Sequence, residues 1–371
     1  MLITFLASFF CALVVAVLVI RYDHLHRHLT SDHDTAGVQK FHTAPVPRIG
    51  GVPLFFGLLA GQLAWYLLSD NTLGLMLAVC ALPAFAAGLT EDMTKRISPL
   101  WRLLATFAAA LIAAWWFGDV LIRFDLPWVD RVLQALPLLA LVVTVVAVGG
   151  VAHAVNIIDG YNGLAGVVAI FIFCALSYVC FKVGDYELLS ASVAMAGATA
   201  GFLIWNFPRG LIFAGDGGAY LLGFMIAEVS VLLVVRHPEV SAWFPMLLVA
   251  YPVWETLFSA YRKKIIRGQS PGMPDGLHFH MLVYKRLVRW MVGSREAQHL
   301  LHRNSRTSPY LWGVAALTVV PAVLLWQHTL ALQLACAFFV LAYVWLYRRI
   351  VRFRSPRWMV TKRSVDRNTG P

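Results

Sequence analysis

Charge is scarce in this chain: 13% of its 371 residues are Asp, Glu, Lys or Arg, against about a quarter in an ordinary soluble domain. That shortage excludes a large water-facing domain. Cysteine is scarce too, and Cys11, Cys80, Cys174, Cys180 and Cys336 lie inside apolar runs with no paired spacing. A disulfide framework and a cysteine zinc site are therefore excluded, and these residues read as small apolar packing groups. Internal repeats, low-complexity tracts and linkers are lacking as well. What remains is 60% hydrophobic. At roughly 20 apolar residues per bilayer crossing, the chain reads as all-α, a single polytopic membrane domain over residues 1–371.

Apolar runs bounded by charge or by Pro, Gly and Asn clusters predict about eleven spans. They lie near 2–20, 51–69, 72–89, 99–118, 135–155, 163–181, 188–206, 211–235, 241–260, 310–327 and 329–347. The first has no basic n-region and the length of a full span, so it reads as a retained helix rather than a signal peptide.

The formal charge of +11 would suggest nucleic acid in a soluble protein. Sorting Lys and Arg by loop removes that reading. Of 30 such residues, 26 fall in alternate segments, 21–50, 90–102, 156–162, 207–210, 261–309 and 348–371. The positive-inside rule places those segments in the cytoplasm, with the N-terminus periplasmic and the C-terminus cytoplasmic. The expected location is a membrane with these loops on its cytoplasmic side, without nucleic acid as a partner.

The acids tight against helix ends share that face: Glu91, Asp92, Asp159, Asp216 and Asp275. Asn156-Ile157-Ile158-Asp159-Gly160-Tyr161-Asn162-Gly163 pairs turn-forming glycines with Asn and Asp side chains beside a helix start, which suits a phosphate or nucleotide. It would equally serve as an Asx-rich turn capping the next span. Phe213-Ala214-Gly215-Asp216-Gly217-Gly218 sets one carboxylate among glycines, with room for a hydrated Mg²⁺ and its phosphates. Phe213 could stack on a base or belong to the core, and Asp216 could simply cap a helix.

Ser98-Pro99 reads as an N-cap followed by a helix start, which should fix the direction of Asp92. Adjacent Glu91 and Asp92 point in different directions on any regular backbone, so at most one faces a given ligand. The loop after the ninth run carries Arg262, Lys263, Lys264 and Arg267, then His278-Phe279-His280. An extended His-x-His pair would set both imidazoles on one side. His42 and Arg48 lie in a proline-stiffened approach to the second span. Glu255 could reach the cytoplasmic face, and Glu228 is expected to pair within the bundle or reach the outer interface, because a carboxylate inside a span is costly.

In this order the motifs resemble the polyprenyl-phosphate N-acetylhexosamine-1-phosphate transferase family, over about His42 to His280. The resemblance implies cytoplasmic loops 21–50, 90–102, 156–162, 207–216 and 261–309 forming an active-site face. It implies catalytic roles for Asp92, Glu91 and Asp159, and substrate binding by His42, Arg48, Asn156, Asn162, Phe213, Arg262, His278 and His280. Mg²⁺, or Mn²⁺ in its place, would bind Asp216 and Asn156. The implied partners are a UDP-N-acetylhexosamine, undecaprenyl phosphate and membrane lipids, with room for a homodimer. The implied activity is transfer of the sugar 1-phosphate to the lipid with release of UMP, at the first step of O-antigen or similar surface glycan synthesis. Two positions depart from the family pattern: Glu91 stands where an aspartate is usual, and Met281 where a third histidine is common. The second argues against the phospho-MurNAc-pentapeptide translocase branch. A transporter for an anionic solute is the competing class, but it would gather polar groups near the midplane in a repeated topology.

Overall fold

The computed structural model describes residues 1–24, 46–266, 268, 277–285 and 297–352. Among them no β-strand occurs. The helices are α1 (Leu2–Arg21), α2 (Gly51–Ser69), α3 (Leu73–Thr94), α4 (Pro99–Phe117), α5 (Pro127–Ala135), α6 (Pro137–Ile158) and α7 (Leu164–Val183). They continue with α8 (Tyr186–Asn206), α9 (Gly215–Arg236), α10 (Trp243–Leu248), α11 (Ala250–Tyr261), α12 (Phe279–Val283), α13 (Ala297–Leu325) and α14 (Thr329–Val351).

Ten of the described helices are long and apolar enough to cross a membrane, which makes this an all-α polytopic membrane protein. The run expected as one span over 241–260 is instead broken into α10 and α11. Pro252 is the physical reason: it has no N–H to give the Leu248 carbonyl, and its ring crowds that turn. The tenth run starts earlier than hydropathy indicated, since α13 begins at Ala297 inside the stretch read as loop.

Helix α9 is the axis of the bundle, with every residue from Gly215 to Val234 buried. In a bilayer such helices associate through close packing rather than escape from water, so small residues govern the contacts. Gly88 of α3 lies so close to α9 that a Cβ there would stand 2.5 Å from the Gly217 nitrogen. The outer helices expose Leu2, Phe10, Leu67, Trp115, Leu138 and Leu341, an apolar surface suited to lipid.

Two polar groups of ends result. At one, Asp125 accepts hydrogen bonds from Arg123, Ser241, Thr329 and the Ala242 amide, and Arg236 faces Asp119, Asp185 and Glu187. At the other, the last turns of α3 and α6 meet the first turns of α4 and α9. Between them Glu228 is buried in α9, and its Oε2 has no hydrogen-bond partner among the described residues. The cysteines are free, with Cys80 and Cys180 buried as packing groups and Cys174 exposed on the lipid-facing side of α7.

Candidate active site

Asp92 joins α3 to the start of α9. Its Oδ1 accepts the Asp216 N–H and its Oδ2 the Gly217 N–H, both at 2.9 Å, and the residue is 4% exposed. Only glycine fits at 215, where φ is +70° and a Cβ would collide with the Arg48 carbonyl and the Asp92 carboxylate. The direction of Asp92 is thus fixed by these amides and not by Ser98, which precedes Pro99 at the N-cap but makes no side-chain capping bond. Glu91 points elsewhere, as expected of adjacent residues, and its Oε2 accepts the Ile97 N–H at 2.7 Å.

Asp216 is the meeting point of four helices. Its Oδ1 accepts from Asn156 Nδ2 at 2.9 Å, and its Oδ2 is bound by the Arg102 guanidinium from the first turn of α4. Arg102 is an addition to the residues expected from sequence, where its charge reads only as a topological signal. His153 is a second addition. It sits one turn before Asn156 on α6, its ring lies 4.8 Å from that of Tyr220, and its buried Nε2 has no hydrogen-bond partner among the described residues. Helix phasing, which sets residues three apart on one face, was the signal that could have found it.

The turn after α6 carries Asp159. Enclosure by protein pushes its carboxyl up to about 7, with Arg48 pulling it down and Asp216 pushing it further up. Burial also raises the Tyr161 hydroxyl well above the usual phenol range. Asn162 is fully buried: its N–H donates to Asn304 Oδ1 at 2.8 Å, its Nδ2 to the Pro208 carbonyl at 3.1 Å, and its carbonyl accepts from Ser308 at 2.6 Å. The structure therefore places Asn162 as a rivet between this turn, the 206–210 segment and α13.

Phe213 is half-buried, and its backbone pairs with the approach to α2: its N–H donates to the Pro47 carbonyl at 2.9 Å and its carbonyl accepts from Gly50 at 2.8 Å. That pairing brings Arg48 to the same end as Asp159. His42 and Asp275 lie outside the described residues.

The histidine pair stands at a helix start rather than along an extended strand. His278 is the N-cap of α12 and His280 lies in its first turn, yet the two rings stack with centroids 5.2 Å apart and planes 3° apart. His280 also meets the Tyr161 ring edge-on at 5.5 Å, which ties this motif to the Asp159 turn. Arg262 is buried, donates to the Leu277 carbonyl at 2.7 Å and to the Tyr347 hydroxyl, and lies over the Tyr347 ring. In this arrangement its charge holds the returning chain.

No three His, Cys, Asp or Glu side chains converge into a metal cage among the described residues. The oxygen donors of Asp216 and Asn156, with Asp159 nearby, instead fit Mg²⁺, which typically uses one or two carboxylates and keeps several waters. An apolar groove of about 390 Å³ runs between α6, α9 and the α10–α11 break, from Ala154 toward the opposite end of the bundle, where Arg123, Phe124 and Ala242 line it. Val146, Gly150, Ala154, Val231, Val249 and Val253 help to line it, and Ala154 is two residues from Asn156.

A model of glycosyl transferase family 4 matches residues 74–234, the stretch that carries Asp92, Arg102, Asn156, Asp159 and Asp216. Over this segment the chain is similar to glycosyl transferase family 4. Similarity to curated proteins extends over more of the chain. A probable undecaprenyl-phosphate N-acetylglucosaminyl 1-phosphate transferase of Bacillus subtilis (strain 168) is 27% identical over 341 residues, 90% of each chain. A decaprenyl-phosphate N-acetylglucosaminephosphotransferase of Mycobacterium leprae (strain TN) is 29% identical over 64% of this chain and 66% of its own. A phospho-N-acetylmuramoyl-pentapeptide-transferase of Maricaulis maris (strain MCS10) is 27% identical over 60% of this chain and 70% of its own.

Proposed function

We propose that the protein transfers an N-acetylhexosamine 1-phosphate from a UDP-N-acetylhexosamine to undecaprenyl phosphate at the cytoplasmic face of a bacterial inner membrane, beginning a surface glycan such as O-antigen. The observation that carries this reading is the Asp216 cluster, a carboxylate bridged by Asn156 and Arg102 at the end of the bundle where the basic loops lie. Relatives named for sugar-1-phosphate transfer to polyprenyl phosphates support it.

An oxygen of the lipid phosphate attacks the sugar-bearing β-phosphorus, the bond from that phosphorus to the bridging oxygen breaks, and UMP leaves with the electron pair. The nucleophile is already anionic and chiefly needs positioning, which favours direct displacement over a phosphorylated carboxylate. Asp216 and Asn156 would hold a Mg²⁺, which when bound would neutralise diphosphate charge. Arg48 and Arg102 add fixed positive charge, Asp159 is poised to take a proton near neutral pH, and Phe213 and His280 flank the space for the nucleotide. The apolar groove beside Ala154 suits part of the isoprenoid tail.

The test is to incubate the purified, detergent-solubilised protein with undecaprenyl phosphate and a panel of UDP-sugars that includes UDP-MurNAc-pentapeptide, then quantify UMP and weigh the lipid product. A lipid-diphosphate N-acetylhexosamine is expected. Turnover of UDP-MurNAc-pentapeptide alone would move the protein to the peptidoglycan branch, and absence of UMP with every donor would favour a transporter or binding protein.

A further inference from the structure

Glu255 is 1% exposed, on α11, the second helix of the broken span, and no part of the mechanism above uses it. A carboxylate at that depth needs partners for its oxygens. It has three. Oε1 accepts the Phe279 N–H at 2.9 Å and faces His278 Nδ1 at 3.1 Å, and Oε2 accepts the Tyr343 hydroxyl at 2.6 Å. The residue therefore binds both the backbone and the ring of the histidine motif, 23 residues away in sequence, and is itself held by the last long helix.

The surroundings leave this arrangement little freedom. Tyr343 packs between Phe258, Phe279 and Tyr347, with ring centroids 5.6, 5.1 and 6.4 Å away. The residue before the motif is fixed as well, since the Leu277 carbonyl accepts from Arg262 and, at 3.2 Å, from Tyr347. The His278 ring in turn lies parallel to His280, which contacts the Asp159 turn through Tyr161.

A carboxylate facing Nδ1 dictates where the imidazole carries its proton: Nδ1–H donates to Glu255, and Nε2 is left as the working nitrogen. We propose that Glu255 is a positioning residue for His278, fixing its tautomer and ring orientation so that Nε2 is presented to the phosphates of the sugar nucleotide, with Tyr343 holding the carboxylate in place. This rests on the transferase reading for its consequence in turnover. The tautomer itself does not depend on that reading.

The experiment has two arms on the full-length protein. ¹⁵N-histidine NMR, with His278 assigned from the signal lost in His278→Gln, reads the tautomer without any substrate. Wild type is expected to hold neutral His278 as the Nδ1–H form, Glu255→Gln to abolish that preference because an amide can donate to Nδ1, and Tyr343→Phe to weaken it. Steady-state kinetics with UDP-GlcNAc and undecaprenyl phosphate should show kcat reduced about ten- to a hundredfold in Glu255→Gln, with KM for the nucleotide within about threefold and a smaller kcat loss in Tyr343→Phe. An Nε2–H tautomer in wild type, or a Glu255→Gln protein with unchanged spectrum and kcat, would overturn the proposal. If Glu255→Gln does not fold, Glu255→Asp decides: partial loss of the tautomer preference supports the role, and an unaltered spectrum opposes it. Absence of turnover in wild type beside the expected tautomer would defeat the transferase reading alone.

Discussion

The Arg102 guanidinium lies on the same Asp216 carboxylate that is proposed to bind the divalent cation. A side-chain cation and a metal ion thus compete for one oxygen, and a cation placed there must displace or share it. Removing the guanidinium takes away both a competitor and a like charge. Arg102→Gln should therefore bind Mn²⁺ several-fold more tightly, read by electron paramagnetic resonance, while its KM for the UDP-sugar rises. Asp216→Asn should lose Mn²⁺ binding and at least about a hundredfold in turnover. Full activity of Asp216→Asn in the presence of a chelator would refute the metal assignment.

Asp92 and Glu91 should respond unequally. An amide at 92 sets an NH₂ group against one of the two N–H donors it now satisfies, leaving a buried donor unmade at about 1–3 kcal/mol. Asp92→Asn is expected to lower both thermal stability and turnover, since Asp216 sits on the anchored turn. Glu91→Gln still accepts from Ile97 and should keep turnover within a few-fold. Comparison of melting curves and UMP release for the two variants checks this, and a larger loss at Glu91 would reverse the order.

Asp159, raised to about 7, makes a signed prediction about pH. An unfolded aspartate ionises near 4, so between there and about 7 the unfolded chain loses its proton first and the folded state is progressively penalised. Asp159→Asn removes that penalty. Its melting temperature, measured with a chelator present, should match wild type near pH 4 and exceed it by a growing margin up to pH 8. In turnover, wild type should show a rising limb through about pH 7 that Asp159→Asn lacks.

Orientation has its own test. Single cysteines placed in the 261–309 segment and near the C-terminus should resist an impermeant thiol reagent in intact cells and react after lysis. Reaction of both from outside would invert the topology.

Helix positions were legible because an 18- to 22-residue apolar run leaves few alternatives, and α2 and α8 end where hydropathy ends. The ninth run was not, since a hydropathy window cannot register the donor missing at Pro252. The site was readable where chemistry is local, as at Asp216 among its glycines. It was opaque where partners are distant: Arg102 meets Asp216 across 114 positions, and Glu255 looked like an awkward acid in a span until α12 was seen against it. Asn162 shows a mixed case, a motif residue whose Nδ2 donates to the Pro208 carbonyl while its Oδ1 has no partner among the described residues.

The amide groups at the start of α9 carry a further consequence. A helix beginning concentrates partial positive charge in its first free N–H groups, and many proteins use it as a ready cradle for phosphate. Here the Asp216 and Gly217 amides already donate to the Asp92 carboxyl oxygens, so the protein's own side chain fills that cradle. An incoming diphosphate must find its compensation elsewhere, in side-chain and metal cations rather than in backbone dipoles. Binding strength then follows ionic conditions and cation supply, while the backbone beneath the reaction stays the same whether or not a substrate is present.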